Sequence, residues 1–343
     1  MNSRTPQRIL LIRLSSIGDI VLTTPLVRLL RKRFPDCEID YLTKSRFKEL
    51  ICHHPELSRV LEFPDHGRSA DLAHMRKMIR DRRYDLILDL HKNLRSLFLT
   101  ALQNNGTIRR LKKYGFRRFL LVKTGINLYG HIVPVYKRYL DVAGQLGIEN
   151  DQLGTELYLP DETVVNVREQ ILHEGSEQQK IIALAPGAGF ATKRWPVERF
   201  RALAGQILAH GYRCCVVGDQ NDRELARQIC DGNPGCIDLT GKLSLLETAA
   251  VLALSEKVVC NDSGVMHIAE AVGTPVVAMF GSTVRELGFF PLRPQSRVIE
   301  NRDIRCRPCS HVGRHHCPRG HFDCMRTLAT ERIASALFEA GKR

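Results

Sequence analysis

Four turns hold the side chains of this chain that could do chemistry, and each follows a short apolar run. The first is Gly18-Asp19, where the glycine permits a tight turn and the aspartate stands at a helix start. A carboxylate there serves either as a helix cap, for which Asp is among the best residues, or as a general base that takes a proton from an attacking hydroxyl. A helix N-terminus holds such a group ionised, so any added basicity must come from burial or neighbours. The second turn is His91-Lys92-Asn93-Leu94-Arg95-Ser96. Arg95 suits an anionic acceptor because its planar fork pairs with carboxylate or phosphate. The other reading of that turn is a solvated helix start.

The third turn, Pro186-Gly187-Ala188-Gly189, leads through Thr192-Lys193-Arg194-Trp195-Pro196 into the next helix. Small residues let backbone amides approach a ligand, and Lys193 brings a charge for a phosphate. Neither the G-x-G-x-x-G of dinucleotide folds nor the G-K-[ST] of a P-loop is present, which argues against NAD and ATPase chemistry. The fourth, Asp262-Ser263-Gly264-Val265-Met266-His267, opens a helix whose free amides and dipole make an anion site fit for a pyrophosphate. His267 falls in its first turns, as ligand contact or as an ordinary structural histidine. Gly281-Ser282-Thr283 ends the next strand and could line the same pocket.

The elements that must position these turns alternate. Strands are expected at residues 8–12, 38–42, 86–90, 181–185, 214–217, 258–260 and 276–280, and helices at 20–33, 71–82, 197–210, 222–230, 245–253 and 265–272. Ser244 with Glu247 is a capping box for the helix at 245. Such alternation implies parallel sheets wound by right-handed crossovers, with ligands at the carboxyl ends of the strands. A helical connector at 164–173 and a polar stretch at 174–179 mark a boundary, so two Rossmann-like domains facing a cleft are expected. They are an acceptor-binding domain of residues 1–165, and a nucleotide-binding domain of residues 166–343 with a terminal helix.

The 343 residues leave room for two such cores. Residues 1–8 are polar and Arg13 interrupts the following apolar run, so the chain is expected in the cytoplasm. The net charge of +14 fits nucleic acid, an anionic membrane or an acidic substrate. Arg109, Arg110, Lys112, Lys113, Arg117, Arg118 and Lys123 interleave with Ile108, Leu111, Tyr114, Phe116, Phe119 and Leu120. That segment reads as a contact with an anionic leaflet or as a solvated basic surface. Cys214, Cys215 and Cys260 lie in strand-like runs and are expected as reduced core residues. Cys306, Cys309, Cys317 and Cys324 crowd into one segment, 306–324, with His311, His315, His316 and His321 nearby. The four thiols have the number for a structural zinc or iron–sulfur site, with disulfides or free thiols as the alternative.

Taken in order, Gly18-Asp19, the 185–188 turn, Lys193-Arg194-Trp195-Pro196, the Asp262–His267 turn and Gly281-Ser282-Thr283 resemble the lipopolysaccharide heptosyltransferases of glycosyltransferase family 9. The resemblance implies a GT-B fold and an inverting, metal-independent transfer of heptose from ADP-heptose to the lipopolysaccharide inner core, Kdo-lipid A or its heptosylated form. It implies Asp19 as base, Lys193 as donor-phosphate ligand, and Asp262, Ser263, Gly264 and His267 as donor loop. Glu224 is similar to an acidic residue that holds the donor ribose, and Arg95, with Gly18 and Asn93, to acceptor contacts. Some members place two Thr where this chain has Ala188 and Gly189, so backbone amides must serve there. No catalytic cofactor is expected. The expected partners are the nucleotide sugar, an anionic glycolipid and the inner-membrane surface; nucleic acid is not, because it would leave the turn residues without a purpose. Another nucleotide sugar is the alternative donor.

Overall fold

The apolar runs become strands of two wholly parallel sheets in a computed structural model that describes residues 5–101, 103, 106–171 and 179–339. The first sheet contains β1 (Arg8–Ile12), β2 (Glu38–Lys44), β3 (Arg59–Phe63), β4 (Leu86–Asp89) and β5 (Thr107–Arg110), in the order β3-β2-β1-β4-β5. The second contains β6 (Ile181–Ala185), β7 (Arg213–Val216), β8 (Cys236–Asp238), β9 (Ser255–Asn261), β10 (Val276–Phe280) and β11 (Arg297–Glu300), in the order β11-β10-β9-β6-β7-β8. Both are doubly wound, as the alternation of strand and helix requires.

In each sheet the chain starts in the middle, winds to one edge, then returns and winds to the other. The direction reverses between β1 and β4 in the first sheet and between β6 and β9 in the second. A ligand crevice opens at such a switch point, beyond the carboxyl ends of the two central strands. The Asp19 and His91 turns follow β1 and β4; the Gly187 and Asp262 turns follow β6 and β9. All four chemically equipped turns therefore stand at switch points.

The two compact units are residues Met1–Lys113 with Val135–Tyr158, and Tyr114–Pro134 with Leu159–Arg343. The second unit thus includes the segment Tyr114–Pro134 and resumes at Leu159, beside the boundary expected at 165–166. That segment leaves the first unit because Leu121 and Tyr129 bury against Leu287, with Tyr114, Val284 and Phe289 packed around them. The expected connector forms a helix over Asp161–Ile171 and packs on the helix Leu245–Leu254. Its last residues and most of the polar stretch, 172–178, lie outside the described residues.

The expected helix at 20–33 is two helices, Ile17–Val21 and Thr24–Arg33. Pro25 has no amide proton to donate, so the helix restarts with that proline in its first turn. Ser244 accepts from the Glu247 amide at 3.1 Å and Glu247 accepts from the Ser244 amide at 2.7 Å, closing the expected capping box. Cys214, Cys215 and Cys260 are free and fully buried in the second core.

Candidate active site

At the first switch point the cap is Ser16 and not Asp19. Asp19 occupies the third helical position and accepts from the Ser16 hydroxyl at 3.0 Å. Its other contacts come from far along the chain or from the strand before it. Arg13, the last charged group on the β1 run, pairs with Asp19 Oδ2 at 2.7 Å and donates to the Leu90 carbonyl at 2.6 Å. Tyr139, 120 residues away in sequence, donates its hydroxyl to Asp19 Oδ1 at 2.8 Å. The Arg13 guanidinium also lies 5.5 Å from the Tyr139 ring centroid.

These contacts set the charge state. Burial alone would raise the Asp19 carboxyl, but the Arg13 cation and the Tyr139 and Ser16 hydrogen bonds outweigh it and hold the carboxyl below its ordinary range. Burial and the adjacent Asp19 carboxylate push the Tyr139 phenol well up, so it remains a donor. The neighbours thus keep Asp19 ionised instead of making it more basic. It retains 16% of its side-chain surface and is therefore partly accessible. Gly18 is buried in the same short helix.

The His91 turn is organised by a buried carboxylate. Asp89 accepts from the amides of His91 and Lys92 at 3.1 and 2.7 Å and from the Ser96 hydroxyl at 3.0 Å. Burial and the nearby Arg13 charge push His91 down to about 4, so it is neutral at physiological pH. Asn93 caps the helix Leu94–Thr100, its Oδ1 accepting from the Ser96 amide at 2.9 Å. Arg95 is exposed and electrostatically coupled to Lys44 at the end of β2. Of the three expected acceptor contacts, Arg95 is exposed, Asn93 has its side-chain oxygen committed to its own helix, and Gly18 is buried.

At the second switch point Asn261 ties two turns together. Its Nδ2 donates to the Pro186 carbonyl at 2.7 Å and its Oδ1 accepts from the Trp195 amide at 3.0 Å. Lys193 Nζ pairs with Asp262 Oδ2 at 2.7 Å, and the Thr283 hydroxyl donates to the same oxygen at 2.6 Å. Asp262 is thereby the residue that aims Lys193. Ser263 is the N-cap residue of the helix Gly264–Ala271, yet its buried Oγ has no hydrogen-bond partner. The first amides of that helix and this hydroxyl make a cradle for an anion. His267 is buried in the same helix, its ring 6.2 Å from that of Phe289.

Gly187 is small for a stated reason: a Cβ there would meet the Asp222 carboxylate at 2.1 Å. Burial and neighbouring Asp219 push Asp222 up, and its carboxylate lies under the Gly187 turn and beside Gly218. Ala188 accepts from Arg194 Nε at 2.9 Å, while Gly189 stands open with space around it. Glu224, expected at the donor ribose, is exposed on the helix Arg223–Cys230 and bonds to Arg227 and Gln228 of that helix, each at 2.7 Å. Those partners hold its carboxyl down to about 2.

The cysteine segment matches the free-thiol alternative. Cys306, Cys309, Cys317 and Cys324 are free thiols, and among the described residues no three Cys, His, Asp or Glu side chains are grouped to hold a metal ion. Cys306 Sγ lies 3.7 Å from His321 Nε2, and burial pushes Cys324 up to about 12. The segment instead backs the Lys193 turn: the Arg314 amide donates to the Thr192 hydroxyl at 2.8 Å, and a Cβ on Gly313 would meet Phe190 at 2.5 Å.

Sequence reasoning missed Arg13, Tyr139 and Asp222 as parts of the site. Arg13 had a signal, a charge inside an apolar strand run, that was read only against export. Asp222 stood within the Gly218–Glu224 stretch, but nothing there distinguished it from Glu224.

A sequence model described as glycosyltransferase family 9 (heptosyltransferase) matches residues 72–317. Lipooligosaccharide heptosyltransferase 2 of Haemophilus influenzae is 27% identical over 350 residues, covering 96% of this chain and 99% of that protein. A glycosyltransferase family 9 crystal structure from Veillonella parvula superposes with a TM-score of 0.72 at 25% identity, over 85% of each chain. The structure of Escherichia coli ADP-heptose LPS heptosyltransferase II shares the fold, with a TM-score of 0.75 at 23% identity over 96% of this chain and 97% of that one. The fold is the expected GT-B class, and the chain belongs to glycosyltransferase family 9, the heptosyltransferases.

Proposed function

We propose that this glycosyltransferase moves a heptose from ADP-heptose to the inner core of a membrane-anchored lipopolysaccharide acceptor, with inversion at the anomeric carbon. Two observations carry the reading: the first unit holds an ionised, partly accessible Asp19 at its switch point, and the second unit holds a lysine-and-amide anion cradle at its own. Asp19 accepts the proton of the acceptor hydroxyl as that oxygen attacks the anomeric carbon. As the C–O bond to the diphosphate breaks, the negative charge passes to the leaving phosphates. Lys193, aimed by Asp262, and the amides at Gly264 stabilise that charge, with the Ser263 hydroxyl and the Ala188-Gly189 backbone beside them. The charge balance closes on protein groups.

Arg95 binds an acidic group of the acceptor core, with Asn93 and Gly18 shaping that end of the site. Glu224 holds the donor ribose by exchanging Arg227 and Gln228 for sugar hydroxyls, and His267 lines the donor loop. The enzyme works in the cytoplasm at the inner-membrane surface, where its lipid acceptor resides. No helix among the described residues is long and apolar enough to cross a membrane.

Donor profiling by mass spectrometry tests the reading. ADP-heptose, UDP-sugars and GDP-sugars are offered with Kdo-lipid A and with its monoheptosylated form. Addition of one heptose to either acceptor from ADP-heptose alone is the expected result, and transfer of a hexose or N-acetylhexosamine in its place would overturn the donor assignment.

A further inference from the structure

Between Asp89 and Asp141 the chain has no acidic residue and eleven Lys or Arg. That one stretch supplies most of the net charge of +14. It also carries the exposed apolar surface: of thirteen large apolar side chains exposed among the described residues, eight lie between Leu94 and Ile132. A solvated basic surface has no need of exposed phenylalanines, and a protein interface core is usually depleted of charge. Basic and apolar exposure in the same segment is the composition of an interfacial helix.

The helix Gly115–Thr124 shows how the two are arranged. Leu121 faces inward onto Leu287 and fixes the helix to the second unit. Phe116 and Phe119, 71% and 57% exposed, project from another face, with exposed Lys123 one further turn along it. The turn that follows adds Ile126 and Leu128, 52% and 45% exposed. We infer that this helix and turn form a docking surface for an anionic phospholipid bilayer, Phe116 and Phe119 entering the acyl boundary while Arg117 and Lys123 meet the headgroups. This rests on the lipid-acceptor reading for its use. The chemistry that binds the bilayer is independent of the acceptor.

The test is sedimentation of the full chain with vesicles that contain no glycolipid: phosphatidylcholine alone, and phosphatidylcholine with phosphatidylglycerol. Binding is expected to the mixed vesicles only, weakening as salt rises. The F116S/F119S double variant should bind at least about tenfold more weakly, since two buried rings are lost. It should keep its melting temperature and its transfer to acceptor in detergent micelles. The R117Q/K123Q variant, should the first fold poorly, should lose the preference for anionic lipid. Equal binding to both vesicles, or full binding by F116S/F119S, would overturn the proposal. So would a wild-type dimer that F116S/F119S renders monomeric, or salt-sensitive capture of nucleic acid in preference to vesicles. Failed transfer in micelles would strike the enzymatic reading and leave this one standing.

Discussion

Tyr139 and Arg13 each occupy a different oxygen of Asp19, at 2.8 and 2.7 Å, so the carboxylate proposed to take the acceptor proton is held charged from both sides. A base held this way does not wait for deprotonation near neutral pH. It takes up the proton late, as the attacking hydroxyl becomes acidic. This arrangement trades basicity for a fixed position and a fixed charge.

Removing the cation should therefore move the pH profile in a known direction. Asp19 has a lowered carboxyl in the folded protein, so its contribution to stability is present above the unfolded carboxylate value and is lost as pH falls through the folded one. In Arg13→Met the largest interaction opposing burial is gone, the Tyr139 and Ser16 hydrogen bonds alone remain against it, and the carboxyl rises. The acid limb of kcat/KM should shift to higher pH, and turnover at neutral pH should fall by about tenfold to a hundredfold. Tyr139→Phe should shift the limb the same way by less. A profile that does not move in Arg13→Met would separate Arg13 from the base.

The Lys193–Asp262 pair is nearly buried, at 15% and 7% side-chain exposure, so breaking it from one side leaves a charge without its partner. Lys193→Ala should lower stability by about 3 kcal/mol and weaken donor binding. Lys193→Met with Asp262→Asn should recover most of the melting temperature and none of the donor affinity. Calorimetry and donor titration together read this split.

Which parts of this were legible in the sequence follows from burial. The seven expected strands are all present, and the four that escaped, β3, β5, β8 and β11, are the edge strands of the two sheets. An edge strand is covered on fewer sides, so Arg59–Phe63 and Arg297–Glu300 mix charge with apolar residues and show no continuous run. The turns at Gly18-Asp19, Gly187 and Asp262 were legible because a switch point needs small and capping residues at strand ends. Tyr139 was not, because its contact with Asp19 spans 120 residues and no local pattern encodes it.

Gly187→Ala tests the packing beneath the third turn. A methyl group 2.1 Å from the Asp222 carboxylate must displace it, and the turn is held by Asn261 on its other side. The variant should lose about 1–3 kcal/mol and bind donor less tightly. Adding Asp222→Ala should return part of the stability. No loss in thermal denaturation of Gly187→Ala would show that the turn yields.

Glu224 offers a cleaner separation of donor binding from folding, because its carboxylate is exposed and its partners lie on its own helix. Glu224→Gln should raise the KM for donor about tenfold by weakening the ribose hydrogen bonds, with kcat and melting temperature little changed. An unchanged KM would assign Glu224 to its helix surface alone.

The measurement that bears most directly on the account is the initial transfer rate of Asp19→Ala beside its affinity for donor. Transfer should fall by at least about a hundredfold, while donor binds as it does to the wild type, because Lys193 and the Gly264 helix start are untouched. Transfer at the wild-type rate by Asp19→Ala would contradict the assignment of Asp19 as the base and, with it, the mechanism built on the first switch point.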